Sequence, residues 1–166
     1  MMILASALCL ISGMASATTF DFSYTNLDGS DQGSGTLVGV EVGTDLYQIT
    51  SGTGTRTSPD EAGAFTLYAN PNGTSQATSP SGYFYYDDVL YTGKGTSPVD
   101  NSGLLFVQAG HEQNLFDGPP LTDYENTGYN TTITTTLEQV PEPMTLSVLG
   151  AGLVGLGLAR RRRPAA

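Results

Sequence analysis

The side chains in this chain that could do chemistry are few. His111 is the sole histidine among 166 residues, and Cys9 is the sole cysteine. His111-Glu112 lacks the second histidine, one helical turn away, that a zinc-protease helix needs. No Gly-x-Ser-x-Gly elbow marks a serine nucleophile, and Cys9 sits in an apolar N-terminal run. Between Gly110 and Glu112, His111 reads as a turn or surface residue. Paired carboxylates for glycoside hydrolysis would come from 16 acids, but their separation is spatial and sequence does not give it. No catalytic residue is assigned, and the chain is expected not to be an enzyme.

Metal chemistry has one candidate. Asp28-Gly29-Ser30-Asp31 and Asp87-Asp88 are oxygen-rich and fall in expected turns, where calcium takes carboxylate and carbonyl oxygens. Neither has the Asp-x-Asp-x-Asp-Gly spacing of an EF-hand. A structural calcium at Asp28, Asp31, Asp87 and Asp88 is one reading. Side-chain capping of a turn explains the same residues with no metal. No other cofactor is implied.

Sugar binding is suggested by the nine tyrosines, of which Tyr83, Tyr85, Tyr86 and Tyr91 lie close together. In a strand Tyr83 and Tyr85 share one face and Tyr86 takes the other. An exposed pair would stack on sugar rings, whereas buried tyrosines would fill a core. Asn72-Gly73-Thr74 and Asn130-Thr131-Thr132 fit the N-glycosylation pattern, and the threonines at 131–136 read as a glycosylated stalk or as a final strand.

The elements that must position these groups read as strands. Alternation and β-branched or aromatic runs mark eight of them, at 19–24, 36–42, 46–50, 63–69, 83–86, 89–91, 104–108 and 131–138. Turn residues separate them, and 51–60 and 71–81 read as long polar loops. Outside the two ends no segment keeps a helical period. The expected fold is all-β, an antiparallel β-sandwich or jelly roll over residues 18–139. This region holds no cysteine, so disulfides do not stabilise it. Between residues 18 and 140 lie 15 acids against Arg56 and Lys94, a net charge of −13. Such a surface repels phosphate backbones, and no nucleic-acid partner is expected.

The two ends read as export signals. Residues 3–11 are largely apolar and Ala15-Ser16-Ala17 is a small-x-small cleavage site, so residues 1–17 are assigned as a signal peptide cut after Ala17. No Lys or Arg precedes the apolar run, and the true start codon is left open. Leu8 stands where a lipobox before Cys9 needs Gly or Ala, so lipidation is rejected. At the other end Val140 opens Val-Pro-Glu-Pro, followed by an uncharged stretch at 144–159, then Arg160, Arg161, Arg162 and Arg163. As a helix that stretch spans about 24 Å at about 1.5 Å per residue, short of a bilayer core of about 30 Å. Its glycines weaken it further, which suits a removable anchor. Arginines stay on the cytoplasmic side, so the long N-terminal part faces outward.

Pro141, Glu142 and Pro143, the Gly/Leu-rich span and the arginine cluster, in that order, resemble the PEP-CTERM sorting signal of exported Gram-negative proteins. The resemblance covers residues 140–166. It implies handling by the Sec translocon, signal peptidase and exosortase, a membrane protease-transpeptidase that recognises Pro-Glu-Pro and removes the anchor. It also implies a transient stay in the inner membrane through a C-terminal transmembrane helix, release to the cell surface or beyond, and a link to exopolysaccharide and biofilm. The expected function is that of a non-enzymatic surface or matrix protein. The alternative is a secreted carbohydrate-binding module or a small hydrolase acting on the polymer.

Overall fold

In a computed structural model the described residues are 16–58, 61–93, 95, 97–118, 120–125 and 127–141. They form eleven strands: β1 (Ala17–Asn26), β2 (Gln32–Gly43), β3 (Leu46–Thr57), β4 (Gly63–Leu67), β5 (Ala77–Thr78), β6 (Tyr85–Tyr86), β7 (Val89–Tyr91), β8 (Leu104–Gln108), β9 (His111–Asp117), β10 (Leu121–Glu125) and β11 (Asn130–Gln139). All pairings are antiparallel. The expected signal peptide up to residue 15, Glu142, Pro143, the expected anchor stretch and Arg160–Arg163 lie outside the described residues.

The all-β, antiparallel expectation holds, but the sandwich or jelly roll is corrected. Neighbouring strands run β2-β1-β11-β10-β9-β8-β4-β3, and β3 pairs again with β2. The sheet therefore closes on itself as an eight-stranded barrel in near-sequential order, rather than stacking two sheets face to face as a sandwich does. Glycines on the inner face make the closure sterically feasible. A Cβ on Gly35 would lie 2.1 Å from the Thr53 carbonyl oxygen, and one on Gly54 would lie 2.4 Å from Phe65 Cζ. Such close approaches of strand to strand and strand to ring mark tight coiling at a barrel corner.

Period-2 patterning fills the interior. Along β1, Phe20, Phe22 and Tyr24 point inward while Asp21, Ser23 and Thr25 point out. At mid-barrel Phe22 stacks on Phe106 at 5.8 Å, and Phe65 meets Phe106 edge-on at 5.1 Å. These geometries favour the ring quadrupoles and add to burial. Leu37, Ile49, Leu104, Leu115 and Ile133 complete this core.

One strand runs longer than expected, and two were missed. Residues 51–57, expected in a loop, continue β3, because Gly52, Gly54 and Arg56 face inward while Thr53, Thr55 and Thr57 face solvent. Strands β9 and β10 were not expected at all. Their buried positions include Gln113, Asn114, Asp123 and Glu125, so hydrophobic periodicity does not mark them. The polar segment at 71–81 is mostly turn, with β5 at its end.

The connection at 68–103, between β4 and β8, folds back over the barrel wall. Its β7 pairs with the first half of β3, Leu46 opposite Tyr91. Its β5–β6 hairpin places Ala77, Phe84 and Tyr86 against Leu105, with Tyr124 packed alongside. Strand alternation puts this connection at the same end of the barrel as Ala17 and Gln139. Residues 27–31, 58, 61–62, 109–110 and 127–129 lie at the opposite, distal end.

Candidate functional site

The distal end carries the molecule's densest polar chemistry. Arg56, near the end of β3, faces inward and is 3 % exposed. Its Nε and Nη2 donate to Asp31 at 2.8 and 2.6 Å, and its Nη1 donates to Glu125 of β10. This fork-on-carboxylate geometry is the strong, directional form of the ion pair. Asp123 Oδ2 stands 3.6 Å from Nη2, beyond hydrogen-bonding distance. Burial alone would depress the Arg56 pKa. The Asp31 bond, the Asp123 charge and the Glu125 bond outweigh it and hold the guanidinium above its ordinary value. Burial, then the Asp123 charge, pushes the Tyr24 hydroxyl well up. These groups sit beneath a cavity of about 450 Å³ lined by Arg56, Ser58, Glu61, His111, Glu125, Thr127 and Tyr129. The Arg56 guanidinium carbon is 5.3 Å from the Tyr129 ring centroid, within cation–π range.

The arrangement is a clasp joining the β1–β2 turn, β3 and β10. Three of the five Arg56 N–H donors go to Asp31 and Glu125, whose charges offset its own. His111 opens β9 at the rim, half-exposed, with Nε2 3.6 Å from Glu61 Oε1. Sequence reasoning missed this cluster. The available signal was a cation, one of two in residues 18–140, set in a Thr/Gly run amid an excess of acids.

The four calcium candidates are separated by the fold, and each has other partners. Asp28 Oδ1 caps the β1–β2 turn, accepting from the Ser30 N–H at 2.9 Å and its hydroxyl at 2.6 Å. Asp31 pairs with Arg56. Asp87 Oδ1 accepts the Val89 N–H at 3.1 Å. Asp88, at φ 54°, is fully buried and accepts the N–H groups of Leu105 and Asn70 at 3.0 and 2.8 Å. It thereby ties the outer connection to β8. Burial pushes the Asp88 carboxyl up to about 8. Among the described residues no three His, Cys, Asp or Glu side chains gather as a metal site.

The tyrosines divide. Tyr86 is buried, and Tyr91 is half-buried with its hydroxyl donating to Asp100 at 3.3 Å. Tyr83 and Tyr85 are 50 and 64 % exposed. Tyr83 shares a hydroxyl–hydroxyl bond of 2.7 Å with Tyr124, their rings 5.7 Å apart and inclined at 55°. The outer wall of β11, β1, β2 and β3 is hydroxyl-rich. Cross-strand neighbours there are Thr136, Ser23, Ser34 and Thr55 in one row and Thr134, Thr25, Gln32 and Thr57 in the next. A membrane-spanning barrel has the reverse, an apolar band outside. No helix among the described residues is long and apolar enough to cross a membrane.

The proximal end carries the start of β1 and the end of β11. Gln139 ends β11 opposite Phe20, and Pro141 follows, exposed, within two residues of the barrel. Residues 139–163 match the family model of the PEP-CTERM protein-sorting motif. The motif is the recognition signal for exosortase and marks export to the cell envelope. No curated protein matches the chain, and no solved structure does.

Proposed function

We propose that this PEP-CTERM sorting domain-containing protein is a non-enzymatic module of the cell surface or extracellular matrix, associated with exopolysaccharide after exosortase has removed its anchor. One observation carries the reading. Gln139 is both the last residue of the barrel and the first residue of the sorting motif. With no spacer between them, the barrel is itself the delivered cargo, and its proximal end faces the membrane during processing. Its hydroxyl-rich wall offers donors and acceptors of the kind that polysaccharide hydroxyls pair with. The distal clasp spends its charges on one another, which fits a scaffold better than a reaction centre.

The test is co-sedimentation of the processed protein with exopolymer from its host. Retention in the polymer pellet is expected, and a protein left wholly in the supernatant would overturn the reading.

A second reading, a carbohydrate-binding module, is favoured by one feature. Tyr83 and Tyr85 present ring surface on the outer connection. Replacing Tyr85 with alanine would then weaken polymer retention without changing the unfolding midpoint, whereas Tyr83→Ala would also lose its bond to Tyr124. The hydrolase alternative would have to rest on Glu61 and His111 at the distal rim, since Glu125 is committed to Arg56.

A further inference from the structure

Asp123 lies under the distal clasp, fully enclosed, on the inner face of β10. Its Oδ2 accepts from Gln113 Nε2 at 2.8 Å, and the same nitrogen donates to the Tyr24 hydroxyl at 2.8 Å. The remaining oxygen on each side chain, Asp123 Oδ1 and Gln113 Oε1, is buried without a hydrogen-bond partner. Each orphan acceptor costs about 1–3 kcal/mol. The two are not independent, because they belong to a carboxyl and a carboxamide already joined by one N–H···O bond. A proton on Oδ1 would turn that orphan acceptor into a donor, and the Gln113 carboxamide already bonded to Oδ2 carries the orphan acceptor Oε1 to receive it; together with Nε2–H to Oδ2 the two bonds would close a ring. We propose that Asp123 is a neutral carboxylic acid in the folded protein, paired in this way with Gln113, and that its proton locks the distal end of the barrel.

The surrounding charges argue the same way. Facing Asp123 are Arg56 from β3, Asp31 from the β1–β2 turn, Glu125 from its own strand, Tyr24 from β1 and Gln113 from β9. Arg56 gives its hydrogen bonds to Asp31 and Glu125, leaving Asp123 at 3.6 Å with no bond from it. With Asp123 ionised, three buried carboxylates would share one guanidinium. With Asp123 neutral, the excess falls to one negative charge, and a buried unpaired charge is the costlier state. Burial, the leading cause, pushes the Asp123 carboxyl up to about 7 against the pull of Arg56 and Gln113. Loss of the proton above neutrality re-creates both the orphan acceptors and the charge excess. The clasp between β3, the β1–β2 turn and β10 then loosens, and residues 127–129 with it. This lock is independent of whether the protein binds polysaccharide.

The test has two readouts on the isotope-labelled full-length chain. In a carbon-13 titration, the Asp123 carboxyl carbon is expected to report a protonated acid at pH 5 and to ionise near neutrality. Hydrogen exchange at the Glu125 amide, which donates to the Tyr129 carbonyl at 2.9 Å, reads opening of the mouth. Its opening constant is expected to rise about tenfold per pH unit until Asp123 ionises, then to level. Asp123→Asn, which keeps the shape and can keep both ring bonds, is expected to remove that slope while retaining low-pH protection. A carboxyl that titrates at the ordinary aspartate value overturns the proposal. So does an Asp123→Asn protein with the wild-type slope. If that variant does not fold, the titration of the unaltered protein decides alone.

Discussion

The Val140 N–H donates to the Thr19 carbonyl at 2.9 Å, so the first and last barrel strands stay zipped together up to the residue before Pro141. Proline has no N–H to offer, and the ladder stops there. Seven register pairs join β1 and β11, from Phe20↔Gln139 to Asn26↔Ile133. The barrel is thus closed by its own two ends. The cuts expected from the sequence would respect this closure. One after Ala17 would remove one residue of β1, and one beyond Pro141 would remove none of β11.

Truncation should therefore divide sharply at Pro141. A chain ending at Pro141 is expected to unfold in urea with the midpoint of the longer chain. A chain lacking residues 130–139 exposes the edges of β1 and β10 and is expected to lose cooperative unfolding and to aggregate. Equal behaviour of the two truncations would refute closure through β1 and β11.

Gly35 tests the tightness of the coil. A Cβ there would meet the Thr53 carbonyl at 2.1 Å, and backbone cannot step aside as a flexible side chain can. Gly35→Ala is expected to cost about 1–3 kcal/mol in equilibrium denaturation, the range for overpacking. Thr55→Ala, on the outer wall of the same barrel corner, should stay within about 0.5 kcal/mol.

Much of the barrel was legible from alternation, and β1 is the clearest case. Its buried Phe20, Phe22 and Tyr24 alternate with polar residues, as a half-buried strand must. Closure was not legible, because it depends on inward glycines at 35 and 54 that read in sequence as turn formers. The distal clasp was hidden for a related reason. Arg56, Gln113, Asp123 and Glu125 occupy inward positions with the chemistry expected of outward ones, so the pattern that finds strands erases these. Their partnership joins residues 31, 56 and 125, which only the register brings together.

Arg56→Met should be strongly destabilising at pH 8, by about 3–5 kcal/mol, because it leaves buried carboxylates with no counter-charge. The penalty is expected to shrink at pH 5, where Asp123 holds its proton and one charge fewer is left uncovered. Arg56→Lys should recover little, since an ammonium cannot reproduce the forked contacts to Asp31 and Glu125. Urea midpoints of the three proteins at the two pH values check this.

Overall stability should fall as pH rises from 5 to 9. Burial foremost raises Asp87 to about 6, Asp123 to about 7 and Asp88 to about 8, all above an ordinary value of 3.8. Between the unfolded and folded values the native state holds more protons than the unfolded chain. The stabilisation is thus complete below the unfolded value and is lost as pH climbs through each folded value. Urea midpoints at unit pH intervals measure the trend, and a midpoint that rises from pH 5 to 9 would contradict the burial of these three carboxyls.

The central claim, that the C-terminus is a sorting device read by exosortase, is tested most directly by mass spectrometry of the native protein from hosts with and without that enzyme. The account predicts a product ending at the Pro141–Pro143 region only when exosortase is present, and retention of Arg160–Arg163 when it is absent. An intact arginine-bearing tail in both hosts would contradict it.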